Sequence, residues 1–118
     1  MIQILEQTQG NIIATRATEK LTEADYDKIL PLVKNLITQH QKIRWYFELD
    51  DFEGWDSKAL WEDIKFDVSH ANDFEKVAIV GEKKWEEWMT QGMKPFTSAD
   101  VKYFDTTKKK EAKNWIKS

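Results

Sequence analysis

Between residues 43 and 49 the chain alternates strictly. Ile43, Trp45, Phe47 and Leu49 fall on one side, and Arg44, Tyr46 and Glu48 on the other. A period of two is that of a strand, whose successive side chains point to opposite faces of a sheet. A strand covered by full layers on both sides is apolar on both, so the polar side predicts a face that is incompletely covered, bordering solvent, a cleft or a partner. Upstream, Ile2 to Glu6 alternates weakly, Thr8-Gln9-Gly10-Asn11 is rich in turn formers, and Asn11 to Ala17 is again apolar. This pattern predicts two strands joined as a hairpin.

The helical period appears after Leu21. Thr22-Glu23-Ala24-Asp25 has the form of a capping box, and Tyr26, Ile29, Leu30, Val33, Leu36 and Ile37 follow at helical spacing to about His40. Pro31 lies inside this stripe and predicts a kink or short break, because it lacks an N–H and crowds the carbonyl four residues back. After Leu49 the run Asp50-Asp51-Phe52-Glu53-Gly54 reads as an acidic loop, with Asp56 or Ser57 capping a second helix to about His70. Val77 to Val80, ended by Gly81, suits a buried parallel strand. Trp85, Trp88 and Met89 mark a third helix that stops near Gly92. Val101 to Phe104 is the last strand, and a fourth helix runs from about Thr107 to Ile116. The order is ββαβαβαβα. It predicts an α/β domain with a five-stranded, mostly parallel open sheet, an N-terminal β-hairpin and four helices, in a single domain over residues 1–118.

Composition narrows the function classes. At 118 residues the chain can bury an ordinary core without staples, and 41% hydrophobic with 33% charged residues is a globular balance. The net charge of −3 lacks the basic surplus of a nucleic-acid binder. Cysteine is absent, which excludes disulfides and thiolate chemistry. No leader-like or membrane-spanning stretch is visible, so a cytoplasmic location and no integral membrane association are expected. The glycines are isolated, which argues against a phosphate-cradling loop. His40 and His70 fall at predicted helix ends with no third ligand at metal spacing. Asp50, Asp51, Glu53 and Asp56 could supply an acid and a base, yet four acidic residues in a loop are more simply solvated. Lys108-Lys109-Lys110 opens the last helix at the end where positive charge is unhelpful, and reads as a solvated face. The expectation is a non-enzymatic protein with no catalytic residues, metal or cofactor.

Several of these segments together resemble a known family. They are Leu21-Thr22-x-x-Asp25-Tyr26 with Pro31; Phe52-x-Gly54-Trp55-Asp56 followed by Ala59-Leu60-Trp61; Val77-Ala78-Ile79-Val80-Gly81 with Trp85; and Tyr103-Phe104 through Ala112-x-x-Trp115. Their joint spacing over nearly the whole chain is similar to the SpoIIAA-like family of small bacterial STAS-related domains. The resemblance implies an open α/β fold and kinship with anti-sigma-factor antagonists and CRAL-TRIO lipid-binding domains. It implies a binding or regulatory module with a regulatory protein partner, the alternative being a carrier of a small apolar or anionic ligand or lipid. From the antagonists comes the expectation of phosphorylation at Ser57, after Asp56 at a helix start. The residues that follow, Lys58-Ala59-Leu60, depart from the small residues of the antagonist motif, and plain helix capping is the simpler reading. From the CRAL-TRIO kinship and the polar strand face come candidate ligand-binding residues: Arg44, Tyr46 and Arg16 toward an anionic head group, Glu48 on the same strand face, and Trp55 and Trp61 as apolar walls. The same face predicts a homodimer surface in which Arg44 and Glu48 make reciprocal contacts across a two-fold axis.

Overall fold

The computed structural model describes residues 2–5, 8, 10–40, 42–55, 74–82, 84, 87, 91 and 99–118, with residues 37, 40 and 55 described in backbone only. Its strands are β1 (Ile2–Ile4), β2 (Ile12–Leu21), β3 (Ile43–Trp55), β4 (Phe74–Gly81) and β5 (Asp100–Asp105). They form one sheet in the order β1-β2-β3-β4-β5. β1 is antiparallel to β2, as the hairpin pattern predicts, and every other neighbour is parallel. Strand order therefore follows chain order, and each connection moves one strand along in the same direction. Among the described residues there are two α-helices, α1 (Glu23–His40) and α2 (Lys109–Lys117), not four; a 3-10 turn, Thr106–Lys108, leads into α2. The second and third predicted helices fall almost wholly outside the described residues. In this region only Lys84, Glu87 and Gln91 are described, with helical backbone. No helix among the described residues is long and apolar enough to cross a membrane.

The two helices lie on opposite faces of the sheet. Ile29, Val33 and Leu36 of α1 pack on Ile13, Ala17, Leu49, Val77, Ile79 and their neighbours. Ala112 and Ile116 of α2 pack on Ala14, Tyr46, Ala78, Val80 and Phe104. The alternation of β3 thus separates two interiors. The side carrying Tyr46 and Glu48 is not open: Tyr46 is 0% and Glu48 2% exposed. A nine-residue amphipathic helix covers it, and the polar side chains there are matched by charges from the cover.

Three local features explain the chain path. The capping box forms as predicted: Thr22 Oγ1 accepts from the Asp25 N–H at 3.2 Å, while Asp25 Oδ2 accepts from the Thr22 N–H at 3.1 Å. α1 then runs unbroken through Pro31. Pro31 and Asp27 are both exposed, so the missing helical hydrogen bond lies on the solvent side of α1. The third feature corrects the acidic loop. Asp50 to Trp55 is strand, because β3 stays paired with β2 up to Leu21↔Trp55. Between Ala17↔Leu49 and Lys20↔Gly54 the register slips, and Glu19 (φ 56°), Asp51 (φ 50°) and Gly54 (φ 110°) take left-handed backbone there. Such bulges add residues to one strand. They allow Leu49 and Phe52, three apart, to enter the same α1-side core, which an unbulged strand would forbid.

Candidate functional site

Parallel pairing sets side chains in rows across the α2-facing side of the sheet. The row Ala14–Tyr46–Ala78 places a phenol ring between two alanines, all fully buried. The small flanking residues give the ring its room beneath α2. The adjacent row is Arg16–Glu48–Val80, so Arg16 and Glu48 are direct cross-strand neighbours. Arg16 Nη2 stands 3.5 Å from Glu48 Oε1, and Lys109 Nζ, from the first turn of α2, stands 2.6 Å from the same oxygen. A buried carboxylate is tolerated when opposite charge accompanies it. Here two cations do so, each keeping part of its side chain in solvent: 36% for Arg16 and 40% for Lys109.

The cluster is charge-paired but poorly hydrogen-bonded. The Tyr46 hydroxyl, Arg16 Nε and Glu48 Oε1 are buried without a well-formed hydrogen bond. Burial, then the negative charge of Glu48, pushes the Tyr46 phenol well above its ordinary range, and the Arg16 charge offsets only part of this. Tyr46 is therefore a neutral phenol throughout the physiological range.

Arg44, one row further toward the amino ends of the strands, serves the opposite end of α2. Its Nη1 donates to the main-chain oxygens of Ile116 (2.9 Å) and Ser118 (2.8 Å). Its Nε and Nη2 form a fork on the Glu75 carboxylate at 3.1 and 3.2 Å, and this hydrogen bonding holds the Glu75 carboxyl below the usual range. Lys76, its register partner, donates to Trp115 O (3.3 Å) and Ser118 O (3.0 Å). Two cations thus meet the negative end of the helix dipole.

Of the sequence-predicted residues, the structure brings Arg16, Tyr46 and Glu48 together and sends Arg44 to the far end of α2. Trp55 is described in backbone only, and Ser57, Trp61 and His70 lie outside the described residues. Arg44 and Glu48, expected to meet a second copy, both have partners inside the chain. Lys109 corrects the reading of the lysine run as merely solvated, since it neutralises Glu48. Lys76 was not singled out at all. The signal for Lys109 was Glu48 itself: an acidic residue on a strand face that a helix must cover calls for a cation from that cover.

The carboxyl edge of the sheet has a different character. Glu19, Asp50, Asp51, Glu53, Glu82 and Asp105 are all exposed there. The Asp105 carboxylate accepts from the Thr107 N–H (3.0 Å) and hydroxyl (2.9 Å), which lowers its pKa. A shallow groove of about 390 Å³ opens beside it, lined by residues including Tyr103, Asp105, Lys108 and Glu111. Among the described residues no group of three carboxylate or histidine side chains could hold a metal ion.

The comparisons agree with this architecture. The chain is similar to the crystal structure of an uncharacterised protein from Shewanella loihica PV-4, of the DUF3478 family and described as having a SpoIIAA-like fold. The two share 28% sequence identity and a TM-score of 0.72, over 98% of this chain and 92% of that one. No curated protein matches in sequence. The SpoIIAA-like family model matches residues 12–117. The fold is that of a STAS-like domain, and this chain belongs to the SpoIIAA-like family.

Proposed function

We propose that this chain is a non-enzymatic binding and regulatory module that docks a protein partner with a basic face on the carboxyl edge of its sheet. The observation that carries the reading is the acidic rim formed by exposed Asp50, Asp51, Glu53 and Glu82, raised on the bulged end of β3 and on the turn after β4. In parallel α/β sheets this edge is where ligands and partners meet the protein. A rim dominated by one sign of charge steers an oppositely charged partner and rejects like-charged ones. Affinity capture of the tagged chain from its own cells, quantified beside the Asp50→Lys/Asp51→Lys variant, tests this. A partner held by the native chain, released by salt and reduced at least ~10-fold by the variant is the expected result. Equal capture by both chains overturns it.

A second reading, a carrier of a small anionic or apolar ligand, is favoured by one observation. Arg16 Nε and the Tyr46 hydroxyl are buried polar atoms with no well-formed hydrogen bond, and a ligand group entering beside them would satisfy both. Native mass spectrometry of the purified chain distinguishes the two readings. A retained small molecule that Arg16→Leu abolishes supports the carrier, and a bare chain mass counts against it.

A further inference from the structure

Helix α2 is attached to the sheet in an unusual way. Of its nine residues only Ala112 and Ile116 are buried, with Trp115 half-buried and tilted against Phe104 at 5.9 Å. A helix of this length has little stability of its own in water. Lys108, Lys109 and Lys110 also place positive charge at the positive end of its dipole, and Lys108 at the N-cap offers no side-chain cap. Beside this small apolar contact, ionic and hydrogen-bond contacts hold the helix at its two ends: Lys109 on Glu48 at one, and Arg44 and Lys76 on the main-chain oxygens of residues 115, 116 and 118 at the other. Beneath the first of these ends lie the Tyr46 hydroxyl, Arg16 Nε and Glu48 Oε1, buried without well-formed hydrogen bonds. All three would gain water if the helix rose.

We propose that α2 is a charge-latched flap: loosening its ionic contacts, Lys109 on Glu48 beside the pivot and Arg44 and Lys76 on the oxygens of residues 115, 116 and 118 at the free end, lets the helix lift from the sheet as a unit while β2, β3, β4 and α1 stay folded. Lifting uncovers the strip Ala14, Tyr46, Ala78, Val80 and Phe104, which α2 covers when docked. The pivot is the 3-10 turn Thr106–Lys108, anchored to the end of β5 by the Asp105 carboxylate on Thr107. The latch responds to ionic strength, because Lys109 and Arg16 both reach solvent. Neutralising the Lys109 ammonium by any means acts in the same direction.

Hydrogen exchange of the full chain, resolved by segment, reads this directly. Amides of α2 are expected to exchange at least ~10-fold faster than those of β3 and β4, and several-fold faster again at about 1 M salt, with β3 and β4 unchanged. Lys109→Met should raise α2 exchange at low salt and shrink its salt dependence, again without moving β3 and β4. Glu48→Gln should act in the same direction. Because it alters a buried residue, Lys109→Met, a change at the solvent side, carries the decision. Exchange of α2 at the rate of β3 and β4 under all conditions would overturn the proposal, as would α2 exchange indifferent to salt and to Lys109→Met.

Discussion

Glu48 is a carboxylate that the fold shields from water, while its two partners keep one side in solvent. This asymmetry decides what its removal costs. Breaking a fully buried pair leaves an uncompensated charge and costs about 3–5 kcal/mol. Arg16 and Lys109 can instead turn outward and rehydrate, so the cost falls toward that of exposed pairs. Glu48→Gln is expected to destabilise the chain by about 1–2 kcal/mol, read as a lower urea midpoint with an unchanged slope. A loss above the fully buried range would mean that the two cations cannot relax. Arg44, Tyr46 and Glu48 were legible in the sequence as one polar strand face, with Arg16 named beside it from another strand. Their arrangement was not, because alternation says which side a residue faces and not what lies over that side.

At the scale of elements, the local rules explain most of what formed. The capping box, the period of α1 and the short apolar run of β4 all express themselves directly. Pro31 shows how exposure softens a local rule. The lost hydrogen bond faces water, so α1 continues, but the proline still lacks the donor that alanine would supply. Pro31→Ala is therefore expected to stabilise the chain by about 1–3 kcal/mol, measured by thermal or urea unfolding. No gain would show that the proline's restriction of the unfolded chain matters as much. The end of β3 went the other way. Asp50-Asp51-Phe52-Glu53-Gly54 has the composition of a loop, yet it is a bulged strand, because Phe52 is buried at 1% exposure beside Leu49. One long-range contact of a large ring outweighs the local preference of four polar or flexible neighbours.

For the whole molecule, the consequence of placing a phenol beneath α2 is a stability that depends on alkaline pH. The folded state raises the Tyr46 pKa, so it holds the phenolic proton when the unfolded chain, near about pH 10, has begun to lose its own. The unfolded state then binds fewer protons than the folded one, and stability must fall as pH rises. The contribution is fully present below about pH 10 and is lost progressively above it, toward the raised folded value. Tyr46→Phe should flatten this decline without lowering neutral-pH stability by more than about 1 kcal/mol, since the removed hydroxyl has no well-formed hydrogen bond. Urea unfolding from pH 8 to 11 on both chains measures it, and identical profiles would place the alkaline response elsewhere.

By itself the sequence determined the elements and their kind: the hairpin, the capped helix after Leu21, the strand faces from residue 43, and the family likeness spread along the chain. These are set by near-neighbour physics, by periodicity, caps and turn chemistry, and a linear string contains them. Only the tertiary structure decided that α2 closes over Tyr46 and Glu48, that Lys109 neutralises a carboxylate from another element, that Arg44 clamps a helix end, and that β3 continues as a bulged strand. Each of these rests on groups brought together across the sheet. A buried charge takes whichever counter-charge the packing delivers, and the spacing of residues along a chain does not say which one that will be.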